Sequence, residues 1–65
     1  MANIKKSIGE QIRARREFKE KTQIELALAI GKTTQYIWYI ESDIRKPRRF
    51  DLVNIEKELN FKVQL

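Results

Sequence analysis

The sequence predicts an all-α domain of four short helices followed by a short C-terminal β-strand. Three observations support this. Apolar residues recur every three or four positions over four segments, Gly31 and Pro47 fall between those segments, and the last residues alternate apolar with polar side chains. A chain of 65 residues has room for one compact domain with a thin core. We therefore expect residues 1–65 to form a single domain.

The first helix is predicted from Ile4, Ile8 and Ile12, which recur every four residues, and it runs from about Ser7 to Lys19. Its inner face is therefore largely isoleucine.

The second helix is predicted at Gln23 to Ile30. Thr22 offers a side-chain oxygen to the free N–H groups of the first turn, and Glu25 completes the capping-box pattern. Gly31 follows the last helical residue, where glycine accepts a left-handed backbone. The inward stripe consists of Leu26, Ala27 and Ile30.

A short turn leads to the third helix, Thr34 to Glu41, with Thr33 as its predicted N-cap. Ile37 and Ile40 are its inward positions, and Tyr36 is expected to lean toward the core.

The stretch Ser42 to Arg49 is predicted to be a charged loop, and a fourth helix follows at about Arg49 to Leu59. Its inner stripe is Leu52, Ile55 and Leu59, with Val53 beside them. From residue 60 to residue 65 the apolar side chains Phe61, Val63 and Leu65 alternate with polar ones, which predicts a strand.

Composition narrows the classes of function. Cysteine and histidine are absent, which excludes disulfides, the usual zinc ligands and histidine acid–base catalysis. Glu17 and Glu20 stand at helical spacing and are expected to be ordinary surface charges, so no enzyme, metal or cofactor is predicted. No apolar run is long enough to span a membrane, and we expect a cytoplasmic protein. The net charge of +5 suits a polyanionic partner, although many basic proteins are merely soluble.

The outward face of the third helix is the candidate base-reading surface. It carries Thr34, Gln35, Trp38 and Tyr39, none of which is charged. Glutamine can form two hydrogen bonds to adenine, and threonine or an aromatic ring can contact a thymine methyl group. The alternative is that Trp38 and Tyr39 pack on the core or on a partner protein.

Basic residues follow this helix, where phosphate contacts would fix its register. They are Arg45, Lys46, Arg48 and Arg49, and the alternative is a solvated charged loop. The N-terminus of helix two also suits a phosphate, with Gln23 as a side-chain donor.

The segments IGEQIRARREF, TQIELALAIGKTTQYIWYIES and RKP resemble the Cro and lambda-repressor-like helix-turn-helix superfamily, also called the XRE family. The resemblance implies a four-helix lambda-repressor-like domain that binds DNA. It also implies phosphate contacts from the second helix and its turn, so that the complete expected phosphate set is Thr22, Gln23, Thr33, Arg45, Lys46, Arg48 and Arg49.

The resemblance further implies an ion pair between Arg16 and Glu41 that joins helices one and three; the alternative is two solvated charges. TTQYIWYIES with the final LNFKVQL resembles the HipB-like antitoxin branch, in which a C-terminal strand pairs between two subunits. A frayed tail or a fifth helix is the alternative. Arg15, Lys32 and Arg49 stand where the family has apolar residues, and Phe50 is expected to fill the space at Arg49.

These observations predict a homodimeric, sequence-specific DNA-binding transcriptional regulator. Its partner is double-stranded DNA with an inverted-repeat operator, and it is expected to act as an autorepressor. Whether it is an antitoxin with a toxin protein as a further partner stays open. The rival prediction is a protein-interaction module that has the helix-turn-helix fold but binds no DNA.

Overall fold

A computed structural model describes residues 6–65 and contains four α-helices in that range. They are α1 (Ile8–Phe18), α2 (Gln23–Ile30), α3 (Thr34–Glu41) and α4 (Arg49–Leu59). The all-helical prediction and the bounds of the last three helices agree with this, while α1 is one residue shorter at each end than predicted. Ile4 lies outside the described residues.

Local hydrogen bonds begin the first three helices. In each, a hydroxyl oxygen accepts a hydrogen bond from the backbone N–H three residues further along. These N-caps are Ser7, Thr22 and Thr33. Gly31 ends α2 with φ of 71°, a left-handed conformation that glycine adopts without steric cost. The turn between α2 and α3 is therefore specified by its own residues.

The core lies where the inner faces of the four helices meet, with α2 packed on α3 and α4, and α1 packed on the same two helices. Its fully buried side chains are Ile12, Leu26, Ala27, Ile37, Ile40, Ile55 and Leu59. Val53 lies at the edge and is 39% exposed.

The expectation that Phe50 fills space at Arg49 is wrong, because Phe50 is 82% exposed. The inward residue of the first turn of α4 is Asp51, whose carboxylate accepts a hydrogen bond from the Tyr36 hydroxyl. This bond fixes the rotation of α4 so that the neighbouring Phe50 faces solvent.

Helix α1 approaches the end of α3 closely at Gly9. A Cβ atom at Gly9 would lie 2.8 Å from the Glu41 carbonyl oxygen and nearer still to that of Ile40. Asp43, with φ of 61°, uses its carboxylate to accept hydrogen bonds from the Gly9 N–H at 3.0 Å and the Ser7 hydroxyl at 2.6 Å. The absent side chain thus lets α1 and α3 pack backbone to backbone.

The predicted strand over residues 60–65 is not supported, because the structure has no strand within residues 6–65. Asn60 ends α4 in a left-handed conformation, and residues 61–65 have no regular secondary structure. The Gln11 side-chain amide donates to the Gln64 carbonyl at 2.8 Å and accepts from the Gln64 N–H at 2.7 Å. A side chain of α1 therefore takes the hydrogen bonds that a neighbouring strand would otherwise make.

Two residues of this C-terminal segment, Phe61 and Val63, pack against the core, and Leu65 is 80% exposed. Arg15 holds the start of the segment by donating to the carbonyl oxygens of Leu59 and Asn60, each at 3.0 Å. Arg15 therefore caps the C-terminal end of α4.

Within residues 6–65, no helix has the length and apolar character needed to cross a bilayer.

Candidate nucleic-acid interface

Helix α3 is anchored to α1 by a buried ion pair between Arg16 and Glu41. The Arg16 Nε and Nη2 atoms donate to the two carboxylate oxygens of Glu41 at 2.6 and 2.9 Å. The side chains are only 10% and 3% exposed, and Arg16 Nη1 also donates to the Lys21 carbonyl at 2.8 Å. The hydrogen bonds to Glu41 raise the pKa of Arg16, so its guanidinium stays charged. This paired geometry satisfies the polar groups that burial removes from water.

Gln23, a predicted phosphate contact, is joined to the same pair. Its Nε2 atom donates to Glu41 Oε1 at 3.1 Å. A glutamine amide has two N–H groups, so one donor remains for a phosphate. The bond to Glu41 fixes the direction of the side chain at the N-terminus of α2.

The N-termini of α2 and α3 differ in charge. The Glu25 carboxylate accepts a hydrogen bond from the Thr22 backbone N–H at 2.7 Å, and this bond lowers the pKa of Glu25. A negative charge therefore already occupies the start of α2. The first turn of α3 has no acidic residue, and its N-cap Thr33 is exposed. Of the two ends, that of α3 is the more favourable for a phosphate.

The predicted base-reading residues share the outer face of α3. Thr34, Gln35 and Trp38 are exposed, Trp38 to 50%, and Tyr39 is partly buried. The Trp38 and Tyr39 rings meet edge to face with centroids 5.5 Å apart, and Gln35 Nε2 donates to the Tyr39 hydroxyl oxygen at 2.9 Å. The face thus presents a connected set of uncharged polar and aromatic groups.

Tyr36 joins α3 to α4 through a network that the sequence did not predict. Its hydroxyl donates to Asp51 Oδ2 at 2.6 Å and accepts from the Arg48 backbone N–H at 3.4 Å. Lys32 Nζ lies 3.6 Å from Asp51 Oδ2 and 5.5 Å from the centroid of the Tyr36 ring. Burial raises the pKa of Tyr36, and the bond to Asp51 raises it further. Tyr36 leans inward as predicted, and Lys32 forms an ion pair with the buried Asp51.

The basic loop consists of the exposed residues Arg45, Lys46, Arg48 and Arg49. Its start is held on α3, since the Tyr39 carbonyl accepts from the N–H groups of Ile44 at 3.0 Å and Arg45 at 3.3 Å. The Arg45 guanidinium lies 5.8 Å from the Tyr36 ring centroid. The loop therefore follows the end of α3 at a fixed position with its charges in solvent.

Gln23 and the basic loop are therefore each joined by hydrogen bonds to α3, whose outer face carries the predicted base-reading residues. Gln23 is bonded to Glu41, and the start of the loop is bonded to the Tyr39 carbonyl. Within residues 6–65, no group of three or more acidic, histidine or cysteine side chains could hold a metal ion. The sequence does not predict the Tyr36–Asp51 bond, because Asp51 resembles any acidic residue in the first turn of a helix.

Comparisons with known proteins agree with this architecture. The family model described as Helix-turn-helix (HTH_3) matches residues 12–65. Among solved structures, the chain is similar to that of "the master regulator for biofilm formation SinR in complex with DNA", with a TM-score of 0.79 and 26% sequence identity. That match covers 86% of this chain and 90% of the other. A comparison with curated protein sequences finds no significant match. Since the family model spans most of its length, the chain belongs to the helix-turn-helix family HTH_3.

Proposed function

We propose that this protein is a transcriptional regulator that binds double-stranded DNA and reads its sequence with α3 in the major groove. The observation that carries the proposal is the outer face of α3, where exposed Gln35 and Trp38 adjoin Tyr39 on a helix anchored by the buried Arg16–Glu41 pair. Solvent-facing helix surfaces usually favour charged residues, whereas base edges are read by uncharged donors, acceptors and apolar groups. The similarity to SinR, a regulator whose structure was solved in complex with DNA, supports the same function.

Affinity is proposed to rest on phosphate contacts around this helix. The expected contacts are Thr22, Gln23, Thr33, Arg45, Lys46, Arg48 and Arg49. With about five phosphates neutralised per subunit, log affinity should fall with log salt at a slope of about −4.5 for one subunit on a half-site and about −9 for a dimer on the full operator, because each contact contributes about −0.9. Fluorescence anisotropy with a labelled duplex at several salt concentrations measures this slope, and a flat response would contradict the proposal.

We further propose a homodimer on an inverted-repeat operator, with half-site centres about 10 base pairs apart or a multiple of that. The sequence pattern of the C-terminal segment supports this, since apolar Phe61, Val63 and Leu65 alternate with polar residues as in a strand that a second copy could pair with. Such pairing would replace the hydrogen bonds that Gln11 makes to the Gln64 backbone in the single chain. The expected result is a wild-type dimer and a folded monomer after deletion of residues 61–65, measured by mass in solution with helix content as the control. A truncated protein that remains dimeric contradicts pairing through this segment.

The narrower biological role is that of an autorepressor. It predicts binding to the DNA upstream of its own gene and lower expression of a reporter from that DNA. The antitoxin form of the role adds a toxin protein as partner, and co-purification with the product of the neighbouring gene tests it. Undiminished reporter expression in the presence of the protein contradicts autorepression.

Exposed apolar side chains favour one rival function, a module that binds a partner protein and no DNA. Ile24 is 59% exposed and Leu28 is 75% exposed, four residues apart on α2. The salt titration discriminates the two functions, since the rival predicts no binding to any duplex.

A further inference from the structure

Two tyrosine hydroxyls stand three residues apart on α3 and bond to different parts of the molecule. Tyr36 donates to Asp51 on α4, whereas the Tyr39 hydroxyl oxygen accepts from Gln35 Nε2 one turn earlier on α3. The first bond joins the helix to the bundle. The second lies entirely within the proposed reading surface.

The bond from Gln35 to Tyr39 occupies part of the Gln35 amide and so limits which groups Gln35 offers to a base. A glutamine amide has one carbonyl oxygen and two N–H groups. With one N–H given to Tyr39 at 2.9 Å, Gln35 retains one donor and one acceptor. That pair matches adenine, whose major-groove edge has an acceptor at N7 and a donor at N6. The reversed amide would give its oxygen to Tyr39 and offer two donors, which match the two acceptors of guanine.

Tyr39 is itself held in place, so its hydroxyl is a fixed reference for Gln35. Its ring is partly buried and meets the Trp38 ring at an angle of 62°. Its carbonyl oxygen accepts hydrogen bonds from Ile44 and Arg45, which tie the same residue to the basic loop. A side chain restrained before binding loses less conformational entropy when it meets the base.

The geometry points to Tyr39 as a positioning residue whose hydroxyl holds the Gln35 amide for readout of one operator position, where the orientation seen in the structure matches adenine. This inference rests on the proposed function, in which α3 enters the major groove. It assigns the discrimination to the side-chain pair and not to Gln35 alone.

The test is selection of duplexes from a randomised double-stranded library by the full-length chain, followed by affinity measurements on the selected duplex and its adenine-to-guanine variant. The wild type is expected to prefer adenine at one position by about 5-fold or more, the lower end for a two-bond contact. Gln35→Ala should abolish that preference. Tyr39→Phe retains the ring and should reduce the preference by about 2- to 10-fold, the worth of one net hydrogen bond.

Tyr36→Phe is the matched control, because it removes a hydroxyl from the same helix without touching Gln35. It should weaken binding to both duplexes by the same factor and leave the ratio of the two affinities unchanged. Circular dichroism of each variant at the assay temperature establishes that the compared proteins are folded.

Each outcome bears on a distinct statement. The positioning role is overturned if the Tyr39→Phe variant keeps the full adenine preference, or if its binding to the two duplexes is weakened by the same factor. A wild-type preference for guanine, or for neither base, at the position sensitive to Gln35→Ala overturns the assigned orientation. A wild type that enriches no duplex overturns the proposed function itself.

Discussion

The two faces of α3 use hydrogen bonds of similar length in different surroundings. On the inner side, Glu41 receives two hydrogen bonds from Arg16 at 2.6 and 2.9 Å, and both side chains are buried. On the outer side, Gln35 gives one hydrogen bond to Tyr39 at 2.9 Å, in contact with solvent. Water can replace the outer bond but not the inner one. The inner contact therefore governs stability, and the outer contact is available for recognition.

Glu41→Ala should cause the largest loss of stability, because it removes the buried inner contact of α3. Loss of one partner leaves Arg16 buried and uncompensated, which costs about 3–5 kcal/mol. A single core of this size supplies about 3–5 kcal/mol in total, so the variant should be largely unfolded. The measurement is urea denaturation followed by circular dichroism.

The control for this variant is Glu17→Ala, which removes the exposed Arg13–Glu17 pair, whose side chains are 64% and 56% exposed. Its free energy of unfolding should change by no more than about 0.5 kcal/mol. Equal losses in the two variants would contradict the assignment of the Arg16–Glu41 pair as the anchor.

Tyr36→Phe should give an intermediate loss, because the hydroxyl donates to a buried carboxylate that keeps Lys32 as a neighbour. A hydrogen bond to a charged group contributes about 1.5–3 kcal/mol. Differential scanning calorimetry of both proteins at neutral pH measures the difference. A variant as stable as the wild type would show that the bond between α3 and α4 is dispensable.

The same tyrosine predicts a pH dependence. Because the folded state raises the pKa of Tyr36, its contribution is fully present below the unfolded value of about 10. It is lost as the pH rises through the higher folded value, since the unfolded chain gives up the proton first. Stability should therefore fall at alkaline pH, and Tyr36→Phe should reduce the slope of unfolding free energy against pH. An unchanged slope would refute the link.

Gln35→Ala should have the smallest effect on folding. The side chain is exposed, and a surface substitution of this kind changes stability by about 0.5 kcal/mol or less. Thermal unfolding should be almost unaffected while base preference is lost, which separates the outer face from the inner one. A substantial drop in the unfolding temperature would instead give Gln35 a structural role.

Local signals in the sequence were sufficient to predict the positions of the helices. Thr22 with Glu25, Gly31 and Thr33 act within a few residues of the chain, so their bonds can be predicted without knowledge of the fold. The Ser7–Glu10 capping box at α1 follows the same pattern and could have been predicted in the same way. Apolar spacing likewise indicated most of the buried core.

Contacts between segments that are far apart in the sequence could not be predicted from local signals. Gln23 on Glu41, Arg15 on the end of α4 and Tyr36 on Asp51 join residues 15 to 44 positions apart. The prediction for residues 60–65 failed for the same reason. Their alternation indicated an extended backbone with Phe61 and Val63 inward, but alternation cannot specify which groups accept the hydrogen bonds.

The sequence alone thus determined where the helices begin and end, which faces are apolar, and that an uncharged face adjoins a basic loop. Apart from the Arg16–Glu41 pair, which the family resemblance implied, only the tertiary structure decided how the polar side chains on those elements are paired. Caps and periodicity depend on neighbours along the chain, whereas polar pairing depends on which side chains burial brings together and which are left to water. For α3, that difference separates Glu41, held by Arg16, from Gln35, oriented by Tyr39 at the surface.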